Sequence, residues 1–314
     1  MQNARDALTP ENLAMLQLIA RTGSFAAAAR ELGLVPSALT YRVRQIEDAL
    51  DVLLFDRSAR QAQATEAGAE LLREGARLLE DVDAIAHHVR RVATGWEPQL
   101  TISADQVIST GTMLELADAF YAIQPTPPTR LKFTDGILSG TLEALTSGQA
   151  DLAIGVAIDT PSVAGLQSAL IGELPFVFVV APHHPLAKLP EPLSDSVLRE
   201  HRMIAVADSA QRTNVSMGIL PGQDVMTVDS MSAKIQAQLR GLGAGFLPEA
   251  MVRAYLDSGR LVARTVQRPQ RTIRMSYVWG RASPHAPGRA LQWWLEQLTS
   301  KATRRSLLEN HHHF

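Results

Sequence analysis

Residues 24–50 read SFAAAARELGLVPSALTYRVRQIEDAL. Two helical stretches are split by Gly33-Leu34-Val35-Pro36. At helical spacing the second puts Leu39, Val43, Ile46 and Leu50 on one face and Ser37, Tyr41 and Arg44 on the other. Packing in a core needs only the apolar face. The other face carries two hydroxyls and a guanidinium about one turn apart, which suits contact with something outside the domain. On the N-terminal side, Thr9 can cap and Pro10 can open a helix carrying Leu13, Leu16 and Ile19 or Ala20. Gly23 breaks it, and Ser24 starts an Ala-rich helix that ends near Gly33. The small residues at 26–29 allow two helices to approach closely. On the C-terminal side, VLLFDRSARQAQAT (52–65) reads as a short hairpin with its tip at Arg57–Arg60. These elements make one small unit over 1–64.

A long helix follows, from about Thr65 to Ala93. Its apolar positions are Leu71, Leu78, Val82, Ile85, Val89 and Val92, with Gly75 in the gap. Steps of four and three make a heptad seam. The seam reads as a homodimer contact within a linker over 65–95, the alternative being a helix packed on its own chain. Gly95 and Pro98 mark the boundary.

From residue 99 the pattern changes to βαβαβ: LTI (100–102), RLKFT (130–134) and DLAIGV (151–156), with helices between. A second set follows through PFVFVV (175–180), MIAVA (203–207), VMTV (225–228) and GFLP. Such a series predicts an α/β domain over 96–304 with two lobes, 96–160 joined by 268–304, and 161–267. A cleft between lobes, at the ends of strands, is where small ligands bind. Residues 305–314 read as a tail, and LENHHHF as a tag remnant to be kept out of metal arguments.

Composition narrows the function classes. The chain has 314 residues, 46% of them hydrophobic, 20% charged, and a formal net charge of −2. Residues 1–64 hold seven Arg and seven acidic residues, so a contact with nucleic acid must rest on where the charges sit. No apolar run is long enough to span a bilayer, and the N-terminus lacks the pattern of an export signal, so the chain reads as cytoplasmic. Cysteine is absent, which removes disulfides and thiolate chemistry. His183 and His184 are adjacent but lack a carboxylate or Cys at metal-binding spacing. GLGAG at 241–245 follows a helix rather than a strand and reads as a turn. No metal and no cofactor are expected.

The segments GSFAAAARELG, PSALTYRVRQIEDAL and DVLLFDRSARQAQATEAG together resemble the winged helix-turn-helix of LysR-type transcriptional regulators. TLEALTSGQA before DLAIGV, ELPFVFVVAPHHPLA and IQAQLRGLGAGFLP resemble landmarks of that family's effector domain. The resemblance covers nearly the whole chain. It implies an all-α winged unit followed by two Rossmann-like lobes, of the type II periplasmic-binding-protein kind. It also implies double-stranded DNA and a small effector as partners, a homodimer through the 65–93 helix, a homotetramer, and RNA polymerase as a further partner. One departure stands out: Val35-Pro36-Ser37 replaces the family's Ser-Gln-Pro, so readout at that point must differ. Within this frame Ser37, Thr40, Tyr41, Arg42 and Arg44 are expected at the DNA, with Arg57 and Arg60 of the wing. An arginine outside such contacts would stand on a solvated surface or pair with Glu47 or Asp48. The family's ligand loops correspond to 103–110, 136–141, 207–212 and the region near 230, giving Ser103, Asp105, Ser139, Thr141, Asp208 and Ser230 as candidate effector contacts. Asp105 and Asp208 would repel a carboxylate, so the expected effector carries hydroxyl or amine donors, as a phenol or another small aromatic does; the alternative is that both Asp residues face solvent. The rivals are a solute-binding protein and an enzyme on the same scaffold. The first is opposed by residues 1–93, the second by the lack of a nucleophile–base pair or metal set.

Overall fold

The computed structural model describes residues 4–56, 62–157, 165–210, 218–268, 271–280 and 287–311, which fall into two compact units, Met1–Ala93 and Thr94–Phe314. The first unit contains α1 (Ala4–Ala7), α2 (Pro10–Thr22), α3 (Phe25–Glu31), α4 (Pro36–Leu50), β1 (Phe55–Asp56), β2 (Gln63–Ala64) and α5 (Glu66–Thr94). The helix starts follow from their caps. The Thr9 hydroxyl accepts the Asn12 N–H at 3.3 Å, and the Ser24 hydroxyl accepts that of Ala27 at 3.3 Å. Gly23 closes α2 in the left-handed region, with φ 63°. α4 starts at a proline with no side-chain cap from Val35.

Leu16, Ile19, Ala28, Ala29, Leu39, Val43, Ile46, Leu54 and Phe55 form the core of this unit. Phe25 meets Phe55 edge to face, ring centres 5.5 Å apart. Glu47 lies in this core, not on the surface. Its carboxylate accepts the N–H groups of Leu54 at 2.9 Å and Phe55 at 3.4 Å, which ties it to the hairpin. The Leu54 carbonyl in turn accepts the Thr65 N–H at 3.0 Å. α5 passes so close that a Cβ on Gly68 would lie 2.0 Å from the Leu54 oxygen.

α5 has 29 residues and is about 43 Å long at 1.5 Å per residue. Its sequence seam divides. Leu71 and Leu72 pack on the helical core, and Gly75 is buried beside Leu13. Leu78, Val82, Ile85 and Val89 are exposed, the last two at 64% and 62%.

The second unit contains β3 (Gln99–Asp105), α6 (Thr110–Tyr121), β4 (Arg130–Gly136), α7 (Gly140–Thr146), β5 (Leu152–Ala157), β6 (Leu166–Val180), α8 (Asp195–Arg199), β7 (Met203–Val206), β8 (Val225–Val228), α9 (Met231–Leu239), β9 (Gly245–Pro248), α10 (Glu249–Asp257), β10 (Val262–Arg264), β11 (Arg271–Gly280), α11 (Arg289–Thr299) and α12 (Lys301–Glu309). In the first lobe β3 pairs in parallel with β4 and β5, as alternating strands and helices require. β6 is long enough to serve both lobes, pairing with β11 along its first part and with β9 and β10 along its second. β7 and β8 form a parallel pair in the second lobe, and Met203 bridges to Ala244 just before β9.

The chain from 305 is not a loose tail through Asn310. α12 reaches Glu309 and buries Leu307 and Leu308. The Leu307 and Asn310 carbonyls accept the N–H and hydroxyl of Ser109, the residue that caps α6. No helix among the described residues is long and apolar enough to cross a membrane.

The approach at Gly68 generates a prediction. Gly68→Ala forces a methyl group into the Leu54 carbonyl and should lower the stability of the N-terminal unit by about 1–3 kcal/mol, as overpacking does. Chemical denaturation followed by circular dichroism measures this. An unchanged midpoint would mean that α5 and the hairpin are not in contact at that point.

Candidate functional site

Two surfaces merit construction from their residues: the outer face of α4, and the junction of the two lobes. On α4 the core side chains Leu39, Val43 and Ile46 fix the rotation of the helix. Ser37, Tyr41 and Arg44 are thereby brought together on the exposed face, with Tyr41 at 63% exposure. Thr40 is half-buried beside them and donates its hydroxyl back to the Pro36 carbonyl at 2.9 Å. Its methyl is therefore the group left for outward contact. Arg42 is separated from this face, roughly 140° round the helix from Ser37. Its guanidinium pairs with Glu11 of α2 at 2.9 Å, not with Glu47 or Asp48. Both partners of that pair are substantially exposed, so it contributes little to stability. Arg57 and Arg60 lie outside the described residues.

At the lobe junction the six candidate residues fall into distinct settings. Ser103, Asp105 and Thr141 are buried, and the Ser103 and Thr141 hydroxyls make no well-formed hydrogen bond. Asp105 accepts the N–H groups of Val107 and Leu138, both at 3.0 Å. The second of these helps to hold Leu138 at φ 55°, an uncommon conformation for a leucine. Burial pushes the Asp105 carboxyl up to about 7, against the effect of those two N–H groups and of the Thr141 hydroxyl, while the Asp208 charge adds to the rise. Neither Asp105 nor Asp208 stands free in solvent: Asp208 is half-buried, and the Ser139 hydroxyl donates to it across the junction. The Ser230 hydroxyl accepts the Ala233 N–H at 3.2 Å and caps α9.

Further contacts here were not legible in the sequence. The Ser209 hydroxyl accepts the Ile137 N–H at 2.9 Å, and Gln106 accepts the Met231 N–H at 2.8 Å through Oε1. A Cβ on Gly140 would fall 1.9 Å from the Ser209 hydroxyl oxygen, so the two loops meet only because residue 140 has no side chain. One turn into α9, Lys234 is buried, and burial brings its ammonium down to about 8, with the Arg271 charge adding to the fall. The junction thus has the hydroxyls of Ser103, Ser139 and Thr141 and the Asp105 carboxyl on its first-lobe side, with Asp208, Ser230 and the buried Lys234 in the second lobe. Among the described residues there is no cluster of metal-ligating side chains.

The Asp105 carboxyl has a measurable consequence. Unfolded, it would ionise near 3.8; folded, it keeps its proton to about 7. Between those values the native state binds the extra proton, so its contribution is full below about pH 4 and is lost as pH rises through 7. Asp105→Asn, which cannot titrate, should flatten this decline relative to the wild type by a few kcal/mol at most, about 1.4 per pKa unit. Thermal melts at intervals from pH 4 to 8 read it. Parallel profiles for the two proteins would show that Asp105 is already ionised at pH 4.

Comparison with known proteins agrees with both halves of the chain. Residues 10–69 match the family described as bacterial regulatory helix-turn-helix protein, lysR family, and residues 93–303 match the LysR substrate binding domain. The HTH-type transcriptional regulator YeeY of Escherichia coli K12 is 36% identical over 291 residues, covering 92% of this chain and 93% of YeeY. The probable regulator YhaJ of the same organism is 38% identical over 295 residues, 93% of this chain and 96% of its own. In fold, the chain is similar to full-length CbnR solved in complex with its target DNA, with a TM-score of 0.64 at 17% identity, covering 93% of this chain and 99% of that one. The protein therefore belongs to the LysR family of transcriptional regulators, with a winged helix-turn-helix and a two-lobed effector-binding domain in one chain.

Proposed function

We propose that the exposed face of α4 enters the major groove of operator DNA, where Ser37, Tyr41 and Arg44 meet base edges or phosphates and the Thr40 methyl meets a thymine methyl. The observation that carries this reading is the two-sided helix itself. Leu39, Val43 and Ile46 are buried on one side, while the hydroxyls and guanidinium opposite stand in solvent. A groove admits a helix in this way, and side chains near its start reach the base edges. Arg42 lies off that face and serves the flanking strand as a phosphate contact, exchanging Glu11 for it. Arg57 and Arg60 of the wing reach the backbone or minor groove beside it.

Leu78, Val82, Ile85 and Val89 of α5 form the contact with a second copy, and further contacts between effector domains give a homotetramer. The unit works in the cytoplasm of a bacterial cell and acts on transcription through RNA polymerase. Its small effector binds between the lobes, near Ser103, Asp105, Ser139, Thr141, Asp208 and Ser230. The oxygens of Asp105, Asp208 and several hydroxyls favour a ligand bearing hydroxyl or amine donors, such as a phenol or another small aromatic. Such a ligand shifts the protein between arrangements only by binding one of them better.

Gel retardation with the promoter fragment of the adjacent gene tests the DNA reading. The wild type should retard it at low salt, and Arg44→Ala should weaken binding about tenfold or more. Equal retardation by the variant would remove α4 from the interface. For the effector, phenol should raise the melting temperature more than toluene does, and Asp208→Asn should erase the difference. Equal effects of the two compounds on the wild type would overturn the donor reading.

A further inference from the structure

In the second lobe, Lys234 and Gln238 sit one turn apart on α9 and share a floor. That floor is Gly245 of β9. A Cβ there would lie 2.7 Å from the Gln238 amide nitrogen, 3.5 Å from Lys234 Cε and 3.2 Å from the Ile204 carbonyl oxygen. The absence of a side chain at 245 therefore leaves room for the two polar groups against the sheet. Lys234 is 8% exposed and Gln238 is fully buried. Among the described residues, neither the nitrogen nor the oxygen of the Gln238 amide has a hydrogen-bond partner. Lys234 has no ion pair among the described residues, and the charge that acts on it is another cation, Arg271.

This arrangement works against folding. A buried ammonium without a counter-charge is costly, and a buried amide with both ends unpaired adds to that cost. Two apolar residues at these positions would pack on Gly245 without penalty. Stability is commonly given up in this way where a site must receive a ligand. What such a ligand offers follows from the groups left unmet: negative oxygens for the ammonium and for the amide N–H, and a donor for the amide oxygen. The location is close to the lobe junction, since α9 begins there, where Gln106 accepts the Met231 N–H.

We propose that Lys234 and Gln238 form an oxyanion subsite in the second lobe, taking the carboxylate of an organic acid or a free phosphate-like ion. The inference rests on the reading of the lobe junction as the effector site and extends that site one turn down α9. It adds an acidic group to the ligand in the second lobe, beyond the loops that carry Asp105 and Asp208.

The test uses the full-length protein in thermal melts at matched ionic strength. Without ligand, Lys234→Met should melt above the wild type by about 2–4 °C, the shift expected in a domain of this size when a modest penalty is removed. With sodium acetate or sodium phosphate in place of chloride, the wild type should gain a similar shift, and Lys234→Met and Gln238→Leu should not. A response to both anions identifies a general oxyanion site, and a response to acetate alone identifies an organic acid. Phenol should stabilise Lys234→Met as it does the wild type, which separates failure of this subsite from failure of the junction as a whole. The proposal is overturned if neither anion stabilises the wild type beyond chloride, if the variants respond equally, or if Lys234→Met without ligand melts lower than the wild type.

Discussion

The backbone of Leu54 ties the N-terminal unit together. Its N–H is taken by the buried Glu47 carboxylate of α4, and its carbonyl by the N–H of Thr65 at the start of α5. Gly68 lets α5 come within touching distance of that same carbonyl. One residue thus fixes the hairpin against two helices. α4 cannot rotate without releasing Glu47 into an apolar core, where an unpaired carboxylate is costly. The solvent-facing row of Ser37, Tyr41 and Arg44 is held in place by a contact on the opposite side of its own helix.

The effector-binding unit shows the opposite tendency. Some of its buried polar groups are left unmet: Ser103 and Thr141 on the first-lobe side of the junction, and Gln238 inside the second lobe. The loops meet across this boundary through Ile137 with Ser209, Ser139 with Asp208 and Gln106 with Met231. A ligand that bound there would act on the lobes only through a difference in its affinity for their arrangements.

What could be read from the sequence, and what could not, divides along the same line. Local chemistry was legible. Thr9, Ser24 and Gly23 mark helix ends because their effect reaches only three or four residues, and the two faces of α4 follow from spacing alone. Glu47 was not legible as a core residue, since its partners belong to a hairpin seven and eight residues further on. The α5 seam was continuous in sequence, yet it splits between a part packed on the helical core and a part exposed, because the core ends before the helix does. Residues 305–309 of α12 read as a tail because only Leu307 and Leu308 signal burial, and the Ser109 and Thr112 hydroxyls that bind the carbonyls of Asn310 and Ser306 lie some two hundred positions earlier. At the lobe junction the candidate loops could be listed from the resemblance. Which side chains would be sealed, bridged or left unpartnered depended on the approach that Gly140 permits.

The pair between Arg42 and Glu11 has a bearing on how the protein would respond to ionic strength. In the free protein the arginine is already neutralised by a carboxylate of its own chain. Handing it to a phosphate expels a condensed cation from the duplex, but it leaves Glu11 bare and able to gather one. The ion balance of that exchange is close to zero. A contact of this type strengthens the fit of the protein along the strand while staying nearly silent in a salt titration, so the number of ions released would understate the number of arginines engaged.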